Sequence, residues 1–292
     1  MKVHARAASM RTMWKTKTLP SGLLAASSLV FVFMLAGCAS SASPPATPLG
    51  DWKRQLLLQH PPDVLLLGEQ HDAPEHQQWQ RDTVAQWAAQ GRLAALVLEM
   101  ADAGNSTQGL PASASDAEVQ SALAWNDAGW PWKSYGPTVM TAVQAGVPVL
   151  GGNLPRAKMR EVMQQPQWDT HLPQPGWQRQ LDAIRDGHCG LLPDAQLAPM
   201  ARIQLAKDAS MASTAQQQVR AGKTVILIAG RGHVLRSIGV PSWLPPGLRS
   251  VVAIGQAGDT EQAPQADRDS VHYTPALTAK DHCAELRAKW KK

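Results

Sequence analysis

Five short apolar runs break up an otherwise mixed chain: Val64–Leu67, Leu93–Met100, Val147–Leu150, Thr224–Ala229 and Ser250–Ile254. Each ends on or beside a glycine or a polar residue. Runs of this length bounded by turn residues read as buried strands. Stretches with helical spacing lie between them. In Glu75–Gln90 the residues Trp79, Val84 and Trp87 fall on one side of a helix. Further helices are predicted over Pro137–Ala145, Arg156–Gln164, Trp177–Asp186 and Ala198–Ala221. Strands alternating with helices predict an α/β fold, with a mostly parallel central sheet and helices on both faces. Residues 101–118, rich in Gly, Ser, Asp and Ala, read as a long loop. The polar tail after Gly255 reads as loosely held as far as Cys283.

In a parallel sheet all carboxyl ends of strands share one edge, and ligands bind there. Gly68-Glu69-Gln70-His71 closes the first run and Gly230-Arg231-Gly232-His233 closes the fourth. One Gly-x-x-His spacing therefore recurs at two strand ends. Glu99 stands near the end of the second run and Asn153 just after the third. His71, Glu99, Asn153 and His233 thus gather on one rim. A carboxylate at the end of an apolar run is costly to bury alone, so Glu99 should face a polar pocket or a partner. Two histidines and a carboxylate can hold a divalent metal with an open position, or do acid–base work. His71, Glu99 and His233 are therefore candidate residues of a metal-dependent hydrolase. A third reading has these residues only stabilising loops of a structural protein. His76 lies five residues after His71, poor spacing for one helical face, and reads as a surface residue.

The amino terminus changes the charge balance. Lys2, Arg6, Arg11, Lys15 and Lys17 precede an apolar stretch, Leu23–Leu35, too short for a comfortable membrane span. Leu35-Ala36-Gly37-Cys38 resembles a bacterial lipobox, whose cysteine is lipidated and becomes the first mature residue. Residues 1–37 then form a lipoprotein signal peptide and 38–50 a low-complexity membrane tether. Residues 51–292 form a single domain. Alanine rather than aspartate at position 39 implies the outer membrane, at its periplasmic side. Removing the five basic residues of the leader from the 28 in the chain leaves 23, against 23 acids. A neutral mature chain gives no support for nucleic-acid binding. Phe31 and Phe33 leave with the leader, so the core must be built from aliphatic residues and Trp. With Cys38 lipidated, Cys189 and Cys283 are an even pair in an oxidising compartment, a plausible disulfide.

The segment from Trp125 to Tyr135 holds three of the 11 tryptophans and one of the two tyrosines. These rings either fill the core in place of Phe or cover a flat ligand.

These motifs together carry a resemblance. Gly68-Glu69-Gln70-His71, Glu99, Trp130-Pro131-Trp132-Lys133-Ser134-Tyr135, Asn153-Leu154-Pro155-Arg156, Gly230-Arg231-Gly232-His233 and Gly239-Val240-Pro241 resemble the ChaN-like haem-binding uptake lipoproteins of the Tiki and TraB group. Lys207-Asp208 departs from an expected Arg-Asp pair. The resemblance covers about residues 51–255 and implies an EreA/ChaN-like fold. It also implies a lipid-anchored protein that binds haem and assists iron uptake. An outer-membrane haem receptor is then a candidate partner. Haem iron is held by His, Tyr, Cys or Met. Tyr135 is the expected iron ligand, with Trp132 beside the macrocycle and Tyr273 as the other tyrosine. Lys133, Arg156 and Arg231 are candidate propionate donors. His71, Glu99, Asn153 and His233 would shape the adjoining polar pocket. A flat apolar cofactor is most easily buried between two copies of a modest cleft, so a homodimer is expected.

Overall fold

The computed structural model describes residues 61–258 and 264–290. The leader, Cys38, the tether and the start of the domain lie outside the described residues. Six strands form one parallel sheet in the order β3-β2-β4-β1-β5-β6. They are β1 (Val64–Glu69), β2 (Leu93–Asp102), β3 (Val149–Asn153), β4 (Thr224–Gly230), β5 (Ser250–Ala257) and β6 (Ser270–Thr274). The helices are α1 (Pro74–Ala89), α2 (Asp116–Ala122), α3 (Trp132–Gln144), α4 (Arg156–Met163), α5 (Gln174–Gly187), α6 (Asp194–Gln217), α7 (Arg231–Val234) and α8 (His282–Trp290).

The strand alternation sorts the core into two layers. Leu65, Leu67, Leu96, Leu98, Ile226 and Ile228 pack with Trp79, Val84 and Trp87 of α1 and with Tyr135 and Val139 of α3. Val64, Leu66, Val97, Val225, Leu227, Val252 and Ile254 pack on the other side with Leu205, Met211 and Ala212 of α6. The central strands are buried on both faces, which is why they read as unbroken apolar runs.

Several elements differ from expectation for physical reasons. α3 begins at Trp132, not Pro137. Asp127 Oδ1 accepts the Trp132 backbone N–H at 2.7 Å, and Trp132 Nε1 donates to Asp116 Oδ2 at 2.7 Å, tying α3 to α2. The loop predicted over 101–118 gives way to α2, capped at Ser115 by a reciprocal bond with Glu118. β3 is shifted toward Asn153, and Gly151 and Gly152 lie inside it. A Cβ on Gly152 would sit 2.8 Å from Val97, so that strand passes too close to its neighbour for any larger residue. β6 and α8 form where a loose tail was expected. Their sequences are polar because they lie at the sheet's outer edge and on the surface. Cys189 and Cys283 are joined as a disulfide with Cα atoms 5.6 Å apart, and this ties α8 to the end of α5. Among the described residues no helix is long and apolar enough to cross a membrane.

Candidate functional site

The register β1–β4 pairs Glu69 with Gly230, so the two Gly-x-x-His motifs leave the sheet side by side. Their glycines make room for each other. A Cβ on Gly68 would run into Val234 and come within 3.3 Å of the Arg231 Cα. One on Gly230 would stand 2.7 Å from Nε2 of His71. Each motif therefore needs its glycine because of the other motif's chain, which is a steric reason for a repeat that spacing alone could only record.

Two glutamates end on opposite faces of the sheet edge. Glu69 follows the parity of Leu65 and Leu67 and points toward α1 and α3. There Tyr135 Oη donates to its Oε1 at 2.7 Å and Gln80 Nε2 to its Oε2 at 2.9 Å. Glu99 follows the parity of Val97 and points toward α6 and α7. His71 stands between them. Its Nδ1 is 2.8 Å from Glu69 Oε1 and its Nε2 is 3.8 Å from Glu99 Oε2. The Gly230 N–H donates to Glu99 Oε2 at 2.7 Å. His233 Nε2 is 3.3 Å from Glu99 Oε1, and its Nδ1 is 2.6 Å from Asp208 Oδ1. The result is one continuous chain: Tyr135, Glu69, His71, Glu99, His233, Asp208.

Carboxylates only accept, so a histidine set between two of them holds protons on both nitrogens. Burial pulls the His233 pKa down, but Glu99 and Asp208 outweigh it and raise it to about 10. Burial pushes Asp208 up, against the pull of His233. Burial likewise opposes Glu99, yet its two histidines and the Gly230 N–H hold it well below the usual carboxylate range. The balance at His71 is also upward: burial lowers it, and the bond to Glu69 and the charge of Glu99 overcome that. His71 remains the open end, with 40 % of its side chain exposed against 13 % for His233. Trp130 lies edge-on to its ring, with centroids 4.8 Å apart.

The expected rim is thus assembled, with additions. His71, Glu99 and His233 converge, and Asn153 Nδ2 donates to the Glu99 carbonyl at 2.8 Å. Glu69, Gln80 and Asp208 were not among the expected site residues. Asp208 had a legible signal: it falls on the Ala201, Leu205, Ala212, Ala215 stripe of α6, so a carboxylate stands where the helix is buried. His76 is a correction. It is fully buried, on the α1 face that carries Trp79, Gln80, Thr83 and Trp87. Its Nδ1 accepts the Gln70 N–H at 3.0 Å and its Nε2 meets Thr274 Oγ1 at 3.2 Å. Burial lowers its pKa to about 4, so it is neutral and pins the first motif to β6. The comparison with His71 used the wrong frame, because His71 precedes the helix.

Tyr135 is turned inward. Its ring is 97 % buried, with 3 % exposed, and its hydroxyl is engaged by Glu69. Burial first, and Glu69 second, raise its pKa, which disfavours phenolate. In this arrangement its oxygen offers no open coordination position. Trp132 is half-buried and packs edge-on to Trp125. The propionate candidates are scattered. Lys133 lies with Arg81, Gln77 and Pro137 in a cleft of about 310 Å³ between α1 and α3. Arg156 is exposed at the start of α4, after β3. Arg231 Nη1 donates to Gln256 Oε1 at 2.8 Å on β5. Arg156 follows β3, whereas Arg231 follows β4 and turns toward β5, so the two lie at different parts of the sheet edge. Among the described residues, no group of three or more His, Cys, Asp or Glu is arranged to hold a metal ion. The Nε2 atoms of His71 and His233 face opposite oxygens of Glu99 as ion-pair partners.

The family described as haem-binding uptake, Tiki superfamily, ChaN matches residues 60–244, a span that holds both motifs, Glu99, Tyr135 and Asp208. The chain belongs to this family. Among solved structures it is similar to one described as cofacial heme binding to ChaN of Campylobacter jejuni. The identity is 24 % and the TM-score 0.62, over 75 % of this chain and 90 % of that one. That likeness shows a shared fold. A type III effector, HopBA1, is more distant, at 15 % identity and a TM-score of 0.42, over 74 % of this chain and 88 % of that one. No curated protein matches the chain.

Proposed function

We propose that this protein is a haem-binding lipoprotein, anchored to the outer membrane through Cys38 on its periplasmic face, that assists haem and iron uptake. What supports it most is membership of a haem-binding family across 60–244, with both strand-end motifs intact. The lipobox and the neutral mature chain agree with it.

The residues present fit haem, with Tyr273 as the reachable phenol. The chain has two tyrosines. Tyr273 is 46 % exposed, on the edge strand β6, and is paired in register with Gln256. Gln256 in turn holds Arg231. A reachable phenol, and a cation held by Gln256 on the strand beside it, are a donor set for a ferric macrocycle carrying carboxylates. In this reading Tyr273 holds the iron, Arg231 holds a propionate, and haem supplies a ferric centre as cargo. Tyr273 is exposed on an edge strand, so a macrocycle lying on it would need a second copy to cover its other face. The solved relative is described as binding haem cofacially, an arrangement that two copies carrying one haem each would produce.

Titrating haemin into the purified mature chain should give a saturable Soret change at low-micromolar concentration. Sedimentation should show dimers only in the loaded sample. The absence of any Soret change would refute the reading. Replacing Cys38 with Ser should release the protein from membrane fractions; retention there would refute the anchor.

A further inference from the structure

A cavity of about 260 Å³ opens behind the charge network, between α5, α6 and α7. One stripe of α5, Gln180, Ile184, Gly187 and His188, forms one wall, and Gln204 and Asp208, four apart on α6, form another. Gly232, His233 and Ile238 close it.

Three of its polar side chains, Gln180, Gln204 and Asp208, keep atoms without a hydrogen-bond partner among the described residues. Gln180 is 7 % exposed, and among the described residues its side chain has no hydrogen-bond partner. The Gln204 amide is equally unpartnered among the described residues. Asp208 gives Oδ1 to His233 and leaves Oδ2 without a partner there. His188 Nδ1 is 2.8 Å from the Ile184 carbonyl. A carbonyl only accepts, so Nδ1 carries a proton, which leaves Nε2 as the ring nitrogen that can accept. The cavity thus presents a carboxylate oxygen, an imidazole nitrogen and two amide groups whose oxygens can accept, beside short apolar walls of Ala183, Ile184 and Ile238.

A free carboxylate oxygen beside amide oxygens that can turn toward a ligand complements a donor-only cation. An ammonium group offers three donors and no acceptor. We infer that this cavity is a binding site for a small primary alkylamine, its ammonium group on Asp208, Gln180 and His188 and its alkyl chain against Ile184 and Ile238. The volume lies below the roughly 300–1,000 Å³ of pockets for drug-sized ligands, so the ligand is a short amine and not a macrocycle. The site is separate from the tyrosine surface proposed for haem and stands or falls without it.

The test uses the full mature chain with n-butylammonium chloride as the probe, and n-butanol and butyrate as neutral and anionic controls. Calorimetry and the imidazole signals of His188 and His233 in NMR are the readouts. The ammonium should bind saturably with a perturbed His188 signal, and butanol at least tenfold more weakly. Gln180→Leu, which fills the wall with an apolar isostere, should weaken the ammonium at least fivefold while keeping the wild-type circular dichroism. Asp208→Asn should abolish binding. Tyr273→Phe should leave amine affinity unchanged, which separates this site from the haem reading. Butyrate binding as tightly as the ammonium would overturn the proposal. So would a folded Gln180→Leu protein with wild-type affinity, or no saturable binding to the wild type.

Discussion

The two Gly-x-x-His motifs share a spacing and a sheet edge, yet their histidines live differently. His233 lies between Glu99 and Asp208 with 13 % of its side chain exposed, and its pKa rises to about 10. His71 touches Glu69 and the far oxygen of Glu99, with 40 % exposed, and Trp130 lies against its ring. The motif fixes where each histidine stands. What it becomes there is set by residues far away in sequence: Asp208 on α6 for one, Tyr135 and Gln80 around Glu69 for the other. A repeated pattern therefore builds an asymmetric pair, a locked imidazolium inside and a more accessible ring at the mouth.

The strongest way to break that contrast is to delete each ring in turn. His233→Ala leaves two buried carboxylates facing each other, and removing one partner of a buried pair costs about 3–5 kcal/mol. His71→Ala removes a partly solvated ring and should cost about 1 kcal/mol or less. Urea unfolding of the two variants checks this, and equal losses would remove the distinction.

A smaller effect is expected at the glycines. Gly68→Ala drives a Cβ into Val234, which is fully buried, and against the backbone at Arg231. Overpacking of that kind costs typically 1–3 kcal/mol. Gly230→Ala meets the ring end of the half-open His71 at 2.7 Å, which can swing outward. Its stability loss should be the lesser, with the His71 NMR signal shifted and that of His233 retained. The reverse order of losses would show that His71 is the more rigid partner.

The finest test is pH. The folded-state pKa of His233 is raised from 6.5 to about 10. The stability it contributes is therefore complete below about pH 6.5 and fades as pH rises through about 10. Stability measured from pH 6.5 to 10 should fall in the wild type and stay flatter in His233→Gln. Imidazole NMR at pH 8 should show both nitrogens of His233 protonated.

Much of this was legible because the chemistry follows strand ends. The unbroken apolar runs of β1 and β4 announce strands buried on both faces, and the polar residues after them mark the rim. His71, Glu99, Asn153 and His233 were found that way. β6 was not, since an edge strand with one neighbour carries no apolar run: Ser-Val-His-Tyr-Thr reads as loop. Asp208, noted only in the Lys207-Asp208 pair, and His76, expected at the surface, each sit in phase with a buried helical stripe. In those places a polar residue on the apolar face was the signal. The orientation of Tyr135 was beyond sequence reasoning. Its oxygen is turned inward by Glu69, 66 residues away, and only the folded chain brings the two together.

The central claim, that this chain carries haem on an accessible tyrosine and keeps its strand-end network for itself, is tested most directly by visible spectroscopy of three proteins loaded with haemin. Wild type and Tyr135→Phe should both show the ferric tyrosinate charge-transfer band, because the Tyr135 hydroxyl is committed to Glu69. Tyr273→Phe should lose that band and bind haemin more weakly. A band that survives in Tyr273→Phe and vanishes in Tyr135→Phe would contradict the account.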